Sequence, residues 1–336
     1  MLRWIFVLLI PFSLSAQLKR FQFSEKKMGS PFTIIFYHGD STHASQLAFE
    51  CFLLVDSINA IFSDYLLSSE AGRLTQQQIN QEQSVSNELF DLIRRSGEAW
   101  KKSGKTFDIT VGALSSLWRK ARVEQRFPSK KEVRNTRKIT GFKKLILDEK
   151  NKTISFRIEG MRFDFGGIAK GYATQRVIDY LKSKNITHAL ADGGGDISMS
   201  DAPPGKNGWT IAINSPKEND PGSYQDWDKK LELTNSSVAT SGDLYQFIYH
   251  NGKKYSHIIN PRTGYGVTSQ RNVTVIAKDG AAADWLATAC SILPLKKAIK
   301  LAKKENAALF IANQEEEKII IHKTENFDRY FQKKEP

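Results

Sequence analysis

Two segments of the chain carry residue types that could hold a phosphorylated ligand and a metal ion. Residues 164–171 read Asp-Phe-Gly-Gly-Ile-Ala-Lys-Gly, which is typical of a turn that lets backbone and a lysine approach an anion. Much later in the chain, Asp284 and Thr288 stand at positions i and i+4 of an apolar helical run and therefore share one helix face. Carboxylate, hydroxyl and backbone carbonyl oxygens are ligands that Mg²⁺ prefers alongside substrate phosphates. Together the two segments predict a site that can hold a pyrophosphate.

Each segment alone has a simpler interpretation. The Asp-x-x-x-Thr spacing is common on solvated helix faces, and a Gly-Gly pair before a helix is commonly only a turn, because glycine tolerates backbone angles that other residues avoid. The chemical interpretation therefore depends on matching residues elsewhere in the chain.

The composition is that of an ordinary globular protein, but the net charge is strongly positive. It has 336 residues, of which 40% are hydrophobic and 25% charged, with a formal net charge of +13. The lysines are spread along the sequence, and no nucleic-acid-binding motif accompanies them. We therefore expect no nucleic-acid partner and a generally basic, solvated surface, which also fits a peripheral contact with an anionic inner membrane.

The first sixteen residues have the layout of a secretory signal peptide. Arg3 supplies the positive charge, Trp4 to Ile10 form a short apolar run, and small residues follow Pro11. Cleavage after Ala16 is the first expectation, with cleavage one residue earlier or an uncleaved anchor as alternatives. The sequence thus predicts export to the periplasm, with a signal peptide over 1–16 and one domain over 17–336 that has room for two subdomains around a central cleft. No later stretch is expected to span a membrane.

The two cysteines, Cys51 and Cys290, both lie in apolar helical patterns and lack Cys-x-x-Cys spacing. Export would permit a disulfide, but a buried free thiol behaves as a small hydrophobe. We expect two free, buried thiols with no role in metal binding.

Apolar periodicity predicts helices and strands that interleave without regular βαβ alternation, which favours an α+β fold of mixed or antiparallel sheets with packed helices. The predicted helices cover 42–64, 87–101, 168–181 and 281–305, the last interrupted at Pro294. The predicted strands cover 32–37, 107–111, 145–147, 153–156, 188–191, 209–213, 231–233, 237–240, 246–249, 273–276, 308–311 and 318–321. Residues 201–208 and 215–228 are predicted surface loops, and 122–142 a loop or mobile helical excursion.

Five segments in fixed order carry a family resemblance. They are Met28-Gly29-Ser30, Phe107-Asp108-Ile109-Thr110, Asp164 to Gly171, His257-Ile258-Ile259-Asn260-Pro261-Arg262-Thr263-Gly264, and the pair Asp284 and Thr288. With these spacings the chain resembles the ApbE family of FAD:protein FMN transferases over nearly all of its length after residue 28, and the Gly-Gly-Gly-Asp run at 193–196 also matches. Gly167 stands where the family often has alanine, Ser30 replaces a threonine, and Trp285 replaces a small residue.

The resemblance implies an ApbE-like (T-fold-like) architecture and a complete set of roles. The metal, Mg²⁺, would be held by Asp284, Thr288 and the backbone carbonyl of Gly167, and His257 would be the catalytic base. The FAD substrate would contact Met28, Tyr65, Thr106, Phe107, Asp108, Asp164, Lys170 and Ile258. The partner would be an acceptor flavoprotein with a Ser/Thr-containing motif, which receives FMN while AMP leaves.

The residue chemistry agrees with that implication but leaves alternatives. Phosphoryl transfer consists mostly of positioning and charge neutralisation, to which a metal and Lys170 would both contribute. Histidine is suited to accept a hydroxyl proton because it titrates near neutral pH. A periplasmic FAD-binding protein without chemistry, and a metal-dependent FAD pyrophosphatase with water as acceptor, remain open as competing interpretations.

Overall fold

A computed structural model describes residues 17–333, apart from 77, 217–223, 228, 243–245 and 316–317, so the predicted signal peptide lies outside the described residues. Its centre is an eight-stranded sheet in which all neighbouring strands are antiparallel. With strands numbered in chain order, the sheet runs β1 (Lys19–Lys27), β2 (Ser30–His38), β6 (Ala189–Asp192), β7 (Asp196–Met199), β12 (Ser236–Ser241), β15 (Arg271–Ala277), β16 (Ala308–Glu315) and β17 (Lys318–Lys323).

Smaller sheets flank this centre. A three-stranded sheet has the order β3 (Gln83–Ser84), β5 (Thr153–Phe156), β4 (Leu145–Asp148). Antiparallel pairs join β8 (Trp209–Ile211) to β11 (Leu231–Leu233), β9 (Asn214–Pro216) to β10 (Tyr224–Asp226), and β13 (Phe247–His250) to β14 (Lys253–Ser256).

Several helices begin at side chains suited to capping. Asp40, Ser86 and Asp279 each accept a backbone N–H of the first turn that follows, and Ser129 with Glu132 forms a reciprocal capping box. The helices are α1 (Ser41–Phe62), α2 (Glu70–Leu74), α3 (Asn87–Lys102), α4 (Gly112–Val123), α5 (Lys130–Lys138), α6 (Ala169–Ser183), α7 (Gly280–Ile292) and α8 (Leu295–Lys304).

The central sheet separates two apolar layers. Along β16, Leu309 and Ile311 face the larger core with helices α1, α3, α6, α7 and α8, whereas Ala308 and Phe310 face a smaller core with β8 and β11. This alternation follows from the period-two geometry of a strand with both faces covered. The α+β prediction is confirmed, and most predicted elements are found within a few residues of their expected positions.

Two expectations about local structure are wrong, those for residues 107–111 and 215–228. Residues 107–111 do not form a strand, because the Asp108 carboxylate accepts the N–H and hydroxyl of Thr110 and turns the chain into α4. The 122–142 segment, predicted as a loop or a mobile helical excursion, contains the well-capped helix α5, which agrees with the helical alternative. Helix α5 shows no apolar periodicity because it buries only Val133. Within the predicted loop 215–228, the described residues include strand β10 and the end of β9.

The remaining expectations concern cysteines and membranes. Both cysteines are free and buried, as predicted, and burial raises the pKa of each thiol to about 12. Contrary to expectation, α1 is long and apolar enough, by length and composition alone, to cross a membrane. Its inner face packs in the main core, from Ala44 through Phe62, as the core helix of a soluble protein would also do.

Candidate active site

Two glycines let α6 and α7 approach closely enough to bring the predicted metal ligands together. A Cβ at Gly171 would lie 2.1 Å from the carbonyl oxygen of Gly280, and a Cβ at Gly280 would lie equally close to that of Gly171. At this crossing the Gly171 N–H donates to Asp284 Oδ2 at 3.1 Å. One turn further along α7, Thr288 Oγ1 is 2.7 Å from where a Cβ of Gly167 would stand. The turn before α6 and one face of α7 therefore meet at the three predicted ligands.

Buried charge is concentrated at this crossing. Asp284 is 5% exposed and Asp196 4%, and Lys170 Nζ pairs with Asp196 Oδ2 at 2.6 Å. Burial, and then the charge of Asp196, raise the pKa of Asp284 well above its usual range, while Lys170 opposes them. Asp196 also raises the pKa of Lys170, which keeps that ammonium charged. Lys170 can balance only one of the two carboxylates, Asp196 and Asp284, so the site can accept a further cation.

The three predicted ligands are all oxygen atoms, which suit a hard cation, and only one of them is charged. No group of three or more His, Cys, Asp or Glu side chains that could hold a metal exists within the described part of the chain. The predicted site does not need such a group, because it combines one carboxylate with a hydroxyl and a main-chain carbonyl. Thr288 is partly exposed on a helix whose neighbouring residues are buried, so its hydroxyl opens toward the cleft.

The segment from Thr106 to Asp108 is held by its own turn. Gly104 and Lys105 both have positive φ, at 62° and 70°, and the Phe107 N–H donates to Ser103 Oγ at 3.0 Å. The Asp108 carboxylate also accepts the N–H of Phe142 at 3.2 Å, in addition to its bonds with Thr110, and burial raises the pKa of Asp108. Its carboxylate therefore organises the loop, and ligand contacts from this segment would come from other atoms.

The predicted site residue Asp164 and the family departure Trp285 are both fixed by neighbours. The Asp164 carboxylate accepts the Gly166 N–H at 2.8 Å and so shapes the turn that leads to Gly167. Trp285 is 7% exposed and lies against Phe107, with ring centroids 6.1 Å apart, so it faces the core beside the loop.

The His257 segment is tied to the Thr106 loop. The His257 N–H donates to the Gln246 carbonyl at 2.8 Å, and its side chain is exposed at the cleft. The following Pro-Arg-Thr-Gly turn sends Arg262 Nη2 to the Gly104 carbonyl at 2.6 Å, and Trp118 Nε1 donates to the Gly264 carbonyl at 2.8 Å. The motif thus connects the loop of the suspected base to the loop that would contact the nucleotide.

Tyr65 stands at the rim beside a charged pair. Its ring is 68% exposed and lies 3.7 Å from the Arg119 guanidinium, which also donates to Asp64 Oδ2 at 2.8 Å. Burial, with the charge of Asp164 acting in the same sense, raises the pKa of Asp64 to about 6 although Arg119 opposes the shift.

All twelve predicted site residues line one open cleft of about 1120 Å³. They are Met28, Tyr65, Thr106, Phe107, Asp108, Asp164, Gly167, Lys170, His257, Ile258, Asp284 and Thr288. Their separate roles toward a ligand stay predictions, but residues from distant parts of the sequence share one space large enough for a dinucleotide.

The ApbE family model matches residues 28–311, which include every one of these positions. The chain belongs to the ApbE family. A protein named FAD:protein FMN transferase from Chlamydia muridarum is 30% identical over 266 residues, covering 78% of this chain and 80% of that protein. One of the same name from Vibrio cholerae is 30% identical over 284 residues, covering 82% and 80%.

Solved structures of ApbE proteins share the fold. The flavin transferase ApbE from Vibrio cholerae superposes with a TM-score of 0.82 at 25% identity, covering 94% of this chain and all of that one. The apo flavinyl transferase ApbE from Pseudomonas stutzeri gives 0.82 at 27% identity, covering 94% and 98%.

The structure of this ApbE family member also reveals cleft residues to which the sequence analysis gave no role. Asp196 ends the Gly-Gly-Gly-Asp run, which was a usable signal because such runs shape anion sites. Arg119 and Arg122 lie on α4, where the wrong strand prediction for 107–111 hid the helix start. Their i, i+3 spacing could have indicated a shared basic face.

Arg262→Ala should weaken FAD binding as well as transfer in this ApbE protein, by about 10-fold each, because it removes a charged hydrogen bond that links two cleft loops. Flavin fluorescence titration would measure the affinity. Arg20→Ala, on the edge strand β1, is the control and should change neither. Unchanged FAD affinity in Arg262→Ala would mean that the two loops hold their positions independently.

Proposed function

We propose that the protein catalyses Mg²⁺-dependent transfer of FMN from FAD to a serine or threonine hydroxyl of an acceptor flavoprotein, with release of AMP. The observation that supports this most strongly is the convergence of Gly167, Asp284, Thr288, Lys170 and His257 on one cleft. Relatives named FAD:protein FMN transferase support the same activity.

Gly167, through its carbonyl oxygen, with Asp284 and Thr288 would hold the cation. When bound, Mg²⁺ would neutralise charge on the pyrophosphate oxygens and favour departure of the leaving group. Lys170 supplies a second positive charge and is kept in place by Asp196. The glycines of the α6 entrance let the ligand approach the backbone closely.

One bond forms and one breaks in the proposed transfer. The acceptor hydroxyl oxygen bonds to the phosphorus of the FMN half, and the bond from that phosphorus to the bridging oxygen breaks. The bridging oxygen leaves with AMP, and the hydroxyl proton passes to His257. The product is FMN in phosphoester linkage to the acceptor side chain.

Incubating the full protein with FAD and Mg²⁺, with and without an acceptor, separates the candidate functions. AMP together with flavin bound covalently to the acceptor supports the transferase. AMP with free FMN in both reactions would indicate a pyrophosphatase, because water would then be the acceptor. Tight FAD binding without either product would indicate a binding protein that stores or delivers the cofactor.

We also propose that the protein works after export, in the periplasm. Residues 1–16 carry the signal pattern, and a basic surface such as that of α8, which carries five lysines, suits a peripheral contact with the anionic inner membrane. Expression with the full leader should give a mature N-terminus next to Ala16. N-terminal sequencing checks this, and an intact Met1 on membrane-bound protein would favour an uncleaved anchor.

A further inference from the structure

Arg122 occupies the side of the cleft where an acceptor must arrive. It lies on α4, and its Nη2 donates to the Gln246 side-chain oxygen at 3.1 Å. Gln246 also accepts the backbone N–H of His257 through its carbonyl at 2.8 Å. The cleft is lined by all three residues, Arg122, Gln246 and His257. Gln246 thus links the Arg122 guanidinium to the loop of the suspected base through hydrogen bonds.

Among the described residues, no carboxylate pairs with the Arg122 guanidinium. Its neighbour Arg119 pairs with Asp64 and stacks on Tyr65, whereas no carboxylate within 4 Å of Arg122 is found in the part of the chain that the structure describes. Burial and the nearby Arg119 lower the pKa of Arg122, but a guanidinium stays protonated under physiological conditions. A partly buried cation of this kind is stabilised by an anion from a ligand.

The FAD pyrophosphate is already provided for elsewhere in the cleft. Lys170 and the three proposed metal ligands lie where α6 meets α7, while Arg122 is connected to the His257 loop. The cleft that Arg122 lines also carries the exposed side chains Tyr65 and Leu66, which are 68% and 44% exposed. A cation that shares a cleft with such side chains suits a polypeptide segment that carries a carboxylate and an apolar side chain.

We propose that Arg122 binds a carboxylate of the acceptor protein close to the hydroxyl that receives FMN, and so positions that hydroxyl at His257. The inference rests on the proposed transferase function and names the chemistry of its partner. Gln246 would hold one edge of the guanidinium, leaving its other N–H groups to form the paired hydrogen bonds that arginine makes with carboxylates. Selectivity would then come from the acceptor sequence as well as from its hydroxyl.

The test uses the full-length mature protein, FAD, Mg²⁺ and synthetic threonine peptides. Each peptide carries one aspartate, moved through the positions neighbouring the threonine, and has an asparagine counterpart. The wild-type protein should modify one aspartate peptide with a kcat/KM about 10- to 100-fold above that of its asparagine counterpart, which is the usual range for one hydrogen-bonded charge pair. Arg122→Gln should remove this preference through KM, while its FAD affinity stays unchanged.

Two further variants separate recognition from a merely structural role. Arg126→Gln is the matched control, because Arg126 pairs with Glu124 and Glu132 outside the cleft, and it should keep the wild-type preference. Arg122→Glu should reverse the preference toward a peptide with lysine at the same position, which a loss of local packing would not produce.

The outcomes distinguish the two proposals. If the wild-type protein modifies aspartate and asparagine peptides equally, or Arg122→Gln keeps the preference, Arg122 does not read a carboxylate, although the transferase function stands. If the wild-type protein modifies an acceptor flavoprotein but no peptide, the peptide-reading role is overturned and the transferase function stands; if it releases AMP and modifies neither, both are overturned.

Discussion

Asp284→Asn should reduce flavin transfer by about 10³-fold or more, because a metal ion contributes several kcal/mol to such a reaction and each 1.4 kcal/mol is about a factor of ten. Asp284 would be the charged protein ligand, and it is buried where α6 meets α7. Asparagine has nearly the same volume, so the fold should survive. Transfer and AMP release, measured at saturating FAD over a Mg²⁺ titration, check the prediction.

A second measurement on the same variant isolates the metal from the fold. Thermal unfolding of the wild-type protein should shift upward with Mg²⁺ and FAD, whereas Asp284→Asn should show little of this shift. Asp279→Asn is the matched control, because Asp279 caps the same helix and asparagine caps equally well. Full transfer by Asp284→Asn at the same FAD and Mg²⁺ concentrations would contradict the metal assignment.

His257→Ala should lose transfer by about 10²–10⁴-fold, the usual contribution of general acid–base catalysis, while FAD affinity changes much less. We expect this difference because different residues would bind FAD and act on the acceptor. Lys170 and the metal ligands would hold the pyrophosphate, whereas the exposed His257 ring would contact the acceptor hydroxyl. Flavin fluorescence gives the affinity, and in-gel fluorescence of the acceptor gives covalent transfer.

His43→Ala serves as the histidine control, since His43 lies on α1 and outside the residues that line the cleft. Equal losses of FAD binding and transfer in His257→Ala would make His257 a binding residue. The base would then have to be a carboxylate, and Asp164 would be a better candidate than Asp108. The Asp108 carboxylate already accepts hydrogen bonds from Thr110 and Phe142.

Sequence periodicity predicted the long elements because burial enforces it. Helices α1, α3, α6 and α7 each present apolar residues at helical spacing to the core, and their predicted ranges agree with the structure within a few residues. The strand predicted at 107–111 failed for a local reason, since β-branched residues there are overruled by the Asp108 side chain. Edge strand β1 was missed because most of its residues are exposed and its apolar alternation is limited to Phe21 and Phe23.

The features of the candidate site also divide into local ones, which the sequence predicted, and long-range contacts, which it did not. The i, i+4 spacing of Asp284 and Thr288 is a local property of one helix and could be read directly. The contact between Gly171 and Gly280, the pairing of Lys170 with Asp196, and the bond from Arg262 to Gly104 join residues distant in sequence. No periodicity encodes such pairs, so the sequence predicted which residues share the cleft better than it predicted what holds them together.

We propose that one cleft transfers FMN from FAD to a protein hydroxyl. The most direct test is to react the mature protein with FAD, Mg²⁺ and an acceptor flavoprotein, and to measure the intact mass of the acceptor together with the AMP released. We predict that the acceptor gains the mass of FMN less one water on a serine or threonine, with one AMP released for each flavin attached. AMP release accompanied only by free FMN, with the acceptor mass unchanged, would contradict the account.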